Sequence, residues 1–551
     1  MSDEAFDRLA EEFFQFYVDR FPELGTALGL HEYDTRISEN SRSFYEENIQ
    51  LAHKYRDKFA AVDPGDLSGG RLLDRDVGLY TLDMSAFHLE EGRSWEQRPE
   101  GAEGLGDGLF PLFARTYAPF PTRLESITAR LHAGPRYLDQ IETRLSHPVK
   151  LWIEMAIESA QHFPAFLEAI AQEAKKEAPK DAQNAYHEAR TGTEEALKAH
   201  GAWLEEEVLP RAEEDYTLGE EKFARLVKIR GLSRTPQEIH ALGVQYMKEA
   251  KGELKEVAAT IDPKASVEEV SERIHGDHPA DFAGVLDEVR RVNEEARAFV
   301  RDNHVATVPP AERLLVEETP LFLRPILPFA AYFSPARFDE VQEGIYIVTP
   351  PSDGEDLLKE HNYASIRNTA VHEGYPGHHL QLSAANLHPS LIRSLTGGTG
   401  TAEMVEGWAH YCEDLMREVG FMEGPESRFV QLQDIIWRAA RIIIDVDLHA
   451  GRMSVDEAVK MLVQETGMAE PSALAEAKRY TQYPTYQLSY LLGKHLIKEL
   501  REEVEERMGD KFSHAFFHDA IIYAGSIPFF LLRRAVEDKL AKLEEDVDDL
   551  Y

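Results

Sequence analysis

The sequence predicts a mainly α-helical protein with a small β element, on three observations. Apolar residues recur at three- and four-residue spacing through most of the 551 residues. One short run of β-branched and aromatic residues breaks that rhythm, and no repeat at a solenoid period organises the remainder. Taken in order, residues 4–21, 43–62, 121–146, 149–177 and 181–214 read as helices. Pro and Gly clusters at Asp63-Pro64-Gly65, residues 101–108 and Asp262-Pro263 read as breaks between helices. Residues 303–310 read as the connection between a mainly helical N-terminal part, residues 1–305, and a motif-bearing part, residues 306–551. Gly344-Ile345-Tyr346-Ile347-Val348-Thr349, stopped by Pro350-Pro351, is the strand signal. It reads either as a packing ribbon or as an exposed edge able to pair with an extended peptide. Helical patterns resume at Tyr363 and run through 426–450, 454–466, 472–480 and 484–506, with Pro484 suited to the first position of its helix.

The bulk numbers exclude some functions. A net charge of -39 lacks the basic footprint that phosphate contacts need, so nucleic acid is not an expected partner. The first residues have neither a basic nor an apolar leader segment, and no uncharged apolar run approaches the ~20 residues of a membrane span. The one cysteine, Cys412, cannot form an intrachain disulfide and fits a reducing compartment. A cytoplasmic location without membrane contact is the expectation, and the oligomeric state is not legible.

Most of the chemistry lies in His372-Glu373-Gly374-Tyr375-Pro376-Gly377-His378-His379 and in Glu406-Gly407-Trp408-Ala409-His410-Tyr411-Cys412-Glu413. Two histidines and a distant glutamate form a ligand set that leaves zinc (Zn2+) one position for water, with Glu373 placed to take the water's proton. The familiar zinc helix spaces its histidines four apart, but the residue four after His372 is Pro376, which cannot be a ligand. The second ligand is then His378 or His379. On an ideal helix position i+6 points about 240° away, and i+7 lies roughly 10 Å further along the axis. Either therefore needs a break, which Pro376-Gly377 provides. Glu406, His410 and Glu413 share one helix face. Glu406 suits the third ligand, while His410 and Glu413 suit hydrogen bonds that orient the ligands. Trp408 and Cys412 read as core. The bland alternatives are a turn with surface histidines and a solvated polar face.

These two motifs resemble the bacterial and archaeal family DUF885. Phe21-Pro22-Glu23-Leu24-Gly25-Thr26-Ala27-Leu28-Gly29 and the blocks 438–449, 479–493 and 517–528 extend the resemblance over nearly the whole chain. That family looks like a branch of the gluzincin metallopeptidases, related to the thimet-oligopeptidase and thermostable carboxypeptidase groups. The resemblance implies a large helical gluzincin-like metallopeptidase with a deep cleft between two helical parts. It implies Glu406 as third ligand and Glu373 as general base. It favours His378, because Gly377-His378 matches the Gly-His step of related zinc helices; His379 stays the alternate. The departure from the pattern is the extra length between Glu373 and Gly377.

Two further groups complete the expected site. Arg438, Arg441, Asp445 and His449 fall on one stripe of a helix otherwise rich in Ile, Val, Leu and Ala. The stripe either faces solvent or lines the site, with Arg441 pairing with Asp445 or with a substrate carboxylate. Tyr483, Tyr486 and Tyr490 offer a hydroxyl to an oxyanion, as tyrosines do in the resembled peptidases; Arg479 and Lys494 are weaker anion-binding candidates. The resulting expectation is a zinc-dependent peptidase acting on short peptides. A zinc hydrolase of other amides or esters, and a helical binding protein with a vestigial metal site, are the alternatives.

Overall fold

The computed structural model describes residues 2–319, 324, 330–351, 357–396 and 400–548. The described chain divides into two compact units. One comprises the described residues within Met1–Tyr216, Pro320–Pro325 and Ala336–Asp339, the other those within Thr217–Thr319, Ile326–Pro335 and Glu340–Tyr551. The 303–310 connection lies inside the second unit. The protein is mainly α with a small three-stranded sheet.

The first unit is built from helices including Asp3–Arg20, Arg42–Ala60, Gly101–Ala114, Phe120–Glu142, Lys150–Glu177 and Lys180–Trp203. The apolar stripes of the last four meet in a core around Leu105, Leu124, Ile127, Ile153 and Leu167. The glycine-rich run 101–108 was expected to break the chain and instead opens a helix. Leu105, Leu109 and Leu112 repeat at helical spacing on one fully buried face, and that burial outweighs the poor propensity of glycine.

The second unit holds the sheet: β1 (Glu312–Glu318), β2 (Ala330–Phe333) and β3 (Gln342–Val348), in the order β1-β3-β2. β3 runs parallel to β1, pairing Leu315 with Ile345, and antiparallel to β2, pairing Tyr332 with Tyr346. The expected strand is therefore present, but as the central one. Its backbone groups are used on both sides, so residues 345–348 cannot serve as an edge for a peptide.

Five helices carry the remaining argument: α1 (Tyr363–Glu373), α2 (His378–Asn386), α3 (Ala402–Glu418), α4 (Pro425–His449) and α5 (Ser489–Met508). α3 and α5 approach unusually closely because Gly407 meets Gly493. A Cβ on Gly407 would lie 2.4 Å from the Cα of Gly493, and one on Gly493 would lie 2.0 Å from the Glu403 carbonyl oxygen. Pro484 does not start a helix as expected: residues 483–488 form a turn, and α5 begins at Ser489. Among the described residues no helix is long and apolar enough to cross a membrane.

Burial of neutral imidazoles has a measurable consequence. His518 is fully buried, with Nδ1–H donating to the Val305 carbonyl at 2.7 Å and Nε2 accepting from the Tyr411 hydroxyl at 2.9 Å. Burial, opposed by the Val305 bond, holds its pKa down at about 3. The unfolded chain therefore binds a proton that the folded chain refuses as pH falls below the ordinary value near 6.5. Stability from the neutral ring is complete above that value and is lost towards pH 3, at roughly 1 kcal/mol per pH unit. His518→Gln should be destabilised at pH 7, and its deficit should shrink between pH 6.5 and 4. Urea denaturation of both proteins at the two pH values checks this, and a constant deficit contradicts it.

Candidate metal centre

The motif of residues 372–379 folds as helix, break, helix. Asn362 caps α1, its side chain accepting the Ser365 N–H at 2.9 Å, and α1 ends at Glu373. Residues 374–377 leave the helical path, and α2 starts at His378. Gly377 is required in this break, since a Cβ there would stand 1.9 Å from the His372 carbonyl oxygen. Trp408 on α3 holds the break by donating its indole N–H to the Pro376 carbonyl at 2.8 Å. The break resets the helical phase, so His372 and His378 face each other with ring centroids 4.9 Å apart.

His372, His378 and Glu406 form a cluster in which one ligand atom from each lies within 4.8 Å of the other two. The Nε2 atoms of His378 and His372 are 3.3 and 3.9 Å from Glu406 Oε2. Both histidines are buried, at 7% and 6% exposure. Burial opposes ionisation of Glu406, yet the His378 hydrogen bond, the two imidazoles and Tyr486 hold its carboxyl down at about 2. His372 Nδ1 sits 2.8 Å from Glu413 Oε1, a contact that orients the ring and would leave Nε2 to a metal. Two imidazole nitrogens and one carboxylate oxygen fit zinc as three protein ligands with a fourth position left over.

The other expected residues divide clearly. His379 stands apart from the cluster: its Nε2 is 2.8 Å from Glu312 and its Nδ1 is 2.9 Å from the Tyr332 hydroxyl. Among the described residues Glu373 is half-buried and has no hydrogen-bond or ion-pair partner. Glu413 also accepts from Asn368 Nδ2 at 3.1 Å, and His410 Nδ1 lies 3.2 Å from its other oxygen. Burial, with Lys494 nearby, lowers His410 to about 4 and keeps it neutral. Of the tyrosines, Tyr486 reaches the cluster, donating its hydroxyl to Glu406 Oε1 at 2.7 Å. Tyr490 packs edge-on against Tyr486 with ring centroids 6.0 Å apart, and the Tyr483 ring lies 6.5 Å from that of Tyr486.

The α4 stripe is buried rather than solvent-facing, but Arg441 does not pair with Asp445. Arg441 donates Nε to the Tyr480 hydroxyl at 2.9 Å and Nη2 to Glu476 at 2.8 Å, and it stacks on Trp437 and Tyr490. Glu476 binds it from the helix Glu470–Gln482, a contact that spacing within α4 cannot reveal. Asp445 instead receives the Thr485 N–H at 3.2 Å, and His449 is 3.6 Å from Asp445 and 3.1 Å from the Tyr480 carbonyl. Asp445 therefore supports the tyrosine turn, His449 supports the end of the helix before it, and among the described residues neither has a hydrogen bond or ion pair to His372 or His378. Lys494, 2% exposed, is paired with Asp414 at 2.9 Å and is not free to bind an anion.

Some site residues escaped the sequence reading. Glu312 on β1 is fully buried and gathers His379, Tyr375 and Arg297; burial would raise its pKa, but these partners hold it at about 2. Nothing local to Glu312 marks it. Asn368, which bridges Glu413 and Asp434, stands four residues before His372 on the same face of α1 and could have been found by that spacing.

A mainly helical protein bearing a His-His-Glu cluster is thus the class that fold and site define. The chain belongs to the family described as "Bacterial protein of unknown function (DUF885)", which matches residues 22–536. No curated protein matches the sequence. Two solved structures share the fold. One, a "putative lipoprotein of unknown function" from Shewanella oneidensis, is 22% identical with a TM-score of 0.77, over 96% of this chain and 99% of that one. The other, a "putative lipoprotein" from Colwellia psychrerythraea, is 20% identical with a TM-score of 0.82, over 98% and 99%.

Proposed function

We propose that the protein is a zinc-dependent hydrolase that cleaves short peptides, with His372, His378 and Glu406 as metal ligands. The observation that carries the proposal is the convergence of those three side chains next to Glu373, which has no hydrogen-bond or ion-pair partner among the described residues, with Glu413 fixing the orientation of His372. Zinc held there would supply a Lewis acid that lowers the pKa of a water molecule and polarises the substrate carbonyl. Glu373 takes the proton as the water oxygen bonds to the carbonyl carbon, and delivers it to the leaving nitrogen as the C–N bond breaks. Tyr486, whose hydroxyl reaches Glu406, is the candidate donor for the oxyanion that forms between those steps. A purely structural zinc does not require Glu373, and its presence favours the hydrolase over a vestigial site.

The arginines bear on substrate choice. Arg441 and Arg479 both bind Glu476, and Arg438 binds Asp434 at 2.6 Å. Their charges are answered within the protein, so recognition of a C-terminal carboxylate is not required of them.

A peptide-library digest tests the proposal. Unstructured peptides should be cut, a zinc chelator should abolish cutting, and added zinc should restore it. A peptide with a free and with an amidated C-terminus should be cut at rates within a few fold. Absence of chelator-sensitive cleavage across the library would overturn the proposal.

A further inference from the structure

Tyr486 sits in the turn 483–488, outside any regular helix or strand, yet its hydroxyl is aimed at Glu406. The preceding residue, Thr485, has φ of +67°. A β-branched residue adopts that conformation only where its surroundings impose it. Here they are specific. Asp445 on α4 accepts the Thr485 N–H at 3.2 Å, and the amides of Gln487 and Leu488 also face this carboxylate. Arg230 donates Nη1 to the Thr485 carbonyl at 2.5 Å and to its hydroxyl at 2.9 Å. Through Nη2 the same guanidinium binds Ser489 Oγ at 3.1 Å and pairs with Glu403. Glu403 stands three residues before Glu406 on α3. One guanidinium therefore ties the tyrosine turn to the helix that carries the carboxylate.

Arg230, Glu403 and Asp445 are all essentially inaccessible to solvent. The buried Arg230–Glu403 ion pair is a weak source of stability, and the best-attested use of such a pair is to specify one geometry among several. The forked guanidinium suits that use, since it fixes two partners at a set angle. Burial pushes the Asp445 carboxyl up to about 8, so it joins the pair as a hydrogen-bonding group.

We propose that Arg230 and Asp445 are positioning residues that hold Thr485 in its left-handed conformation and so fix the Tyr486 hydroxyl at Glu406. Its consequence for zinc affinity and turnover rests on the zinc-hydrolase reading above. The positioning itself can be measured without metal.

The experiment is fluorine NMR of the full chain labelled with 3-fluorotyrosine, in which the Tyr486 signal among 21 tyrosines is the one missing from Tyr486→Phe. That signal should keep its position in Asp445→Asn, where an amide oxygen still accepts the Thr485 N–H. It should move towards the exposed-tyrosine position in Asp445→Ala. Should Asp445→Ala fail to fold, Arg230→Lys replaces it: a lysine can answer Glu403 but cannot also span Thr485, so the signal should move. With zinc added in competition with a chelator, Asp445→Ala and Tyr486→Phe should each weaken binding on the order of tenfold, and the double variant should be no weaker than either. An unmoved Tyr486 signal in a folded Asp445→Ala or Arg230→Lys overturns the proposal, as does additivity in the double variant. If the wild-type chain takes up no zinc, the zinc-hydrolase reading fails, while the fluorine signal still decides the positioning.

Discussion

Glu373→Gln is expected to retain zinc at the wild-type level and to lose roughly 10²- to 10⁴-fold in turnover, the range typical of removing a general base. The substitution preserves the shape of the side chain and removes its ability to accept a proton. Glu373 has no hydrogen-bond or ion-pair partner among the described residues, so little of the surrounding structure depends on its charge. Thermal stability should therefore stay close to wild type, which separates loss of chemistry from loss of fold. Steady-state rates on one cleaved peptide, with zinc measured on the same samples, check this. Wild-type turnover by the variant would remove Glu373 from the mechanism.

The second large effect separates two neighbouring histidines. His378→Ala should release zinc, because it removes one of three ligand atoms. His379→Ala should keep zinc under the same conditions and lose stability instead. His379 is fully buried between Glu312 and Tyr332, and its removal leaves the Glu312 carboxylate short of a donor in a dry site, a change of about 1–3 kcal/mol. Zinc content and denaturant midpoints of the two variants make the comparison. Loss of zinc from His379→Ala with retention by His378→Ala would reverse the assignment.

The centre of the site was legible because its parts are local in sequence. His372, Glu373, His378, Glu406 and Glu413 sit in two short motifs; helical phase groups Glu406 with Glu413 and leaves His378 and His379 open, and the Gly377-His378 step of the resembled family favours His378. Phase also showed that a break was needed after Glu373, and the break is where Pro376-Gly377 placed it. The supporting residues were not legible for the opposite reason. Glu312 and Tyr332 hold His379, and Arg230 holds Thr485 and Glu403, from distant segments, and no periodicity links them to the motifs. For Arg441 the spacing offered Asp445 or a substrate carboxylate, because spacing reports neighbours within a helix and is silent about Glu476 in the helix Glu470–Gln482. The strand at residues 342–348 was recognisable from its β-branched run, but whether a strand is central or at an edge depends on its partners, here β1 and β2. Pro484 matched the start of a helix by residue preference. The tertiary contacts of Asp445 and Arg230 with Thr485 instead hold that segment as a turn.

The central claim is that His372, His378 and Glu406 together bind zinc. Anomalous diffraction from crystals of protein purified without chelator, recorded on both sides of the zinc absorption edge, tests it most directly. The account predicts one strong zinc-specific peak per chain, within bonding distance of His372 Nε2, His378 Nε2 and a Glu406 carboxylate oxygen. No peak there after soaking with zinc, or a peak at other residues only, would contradict it.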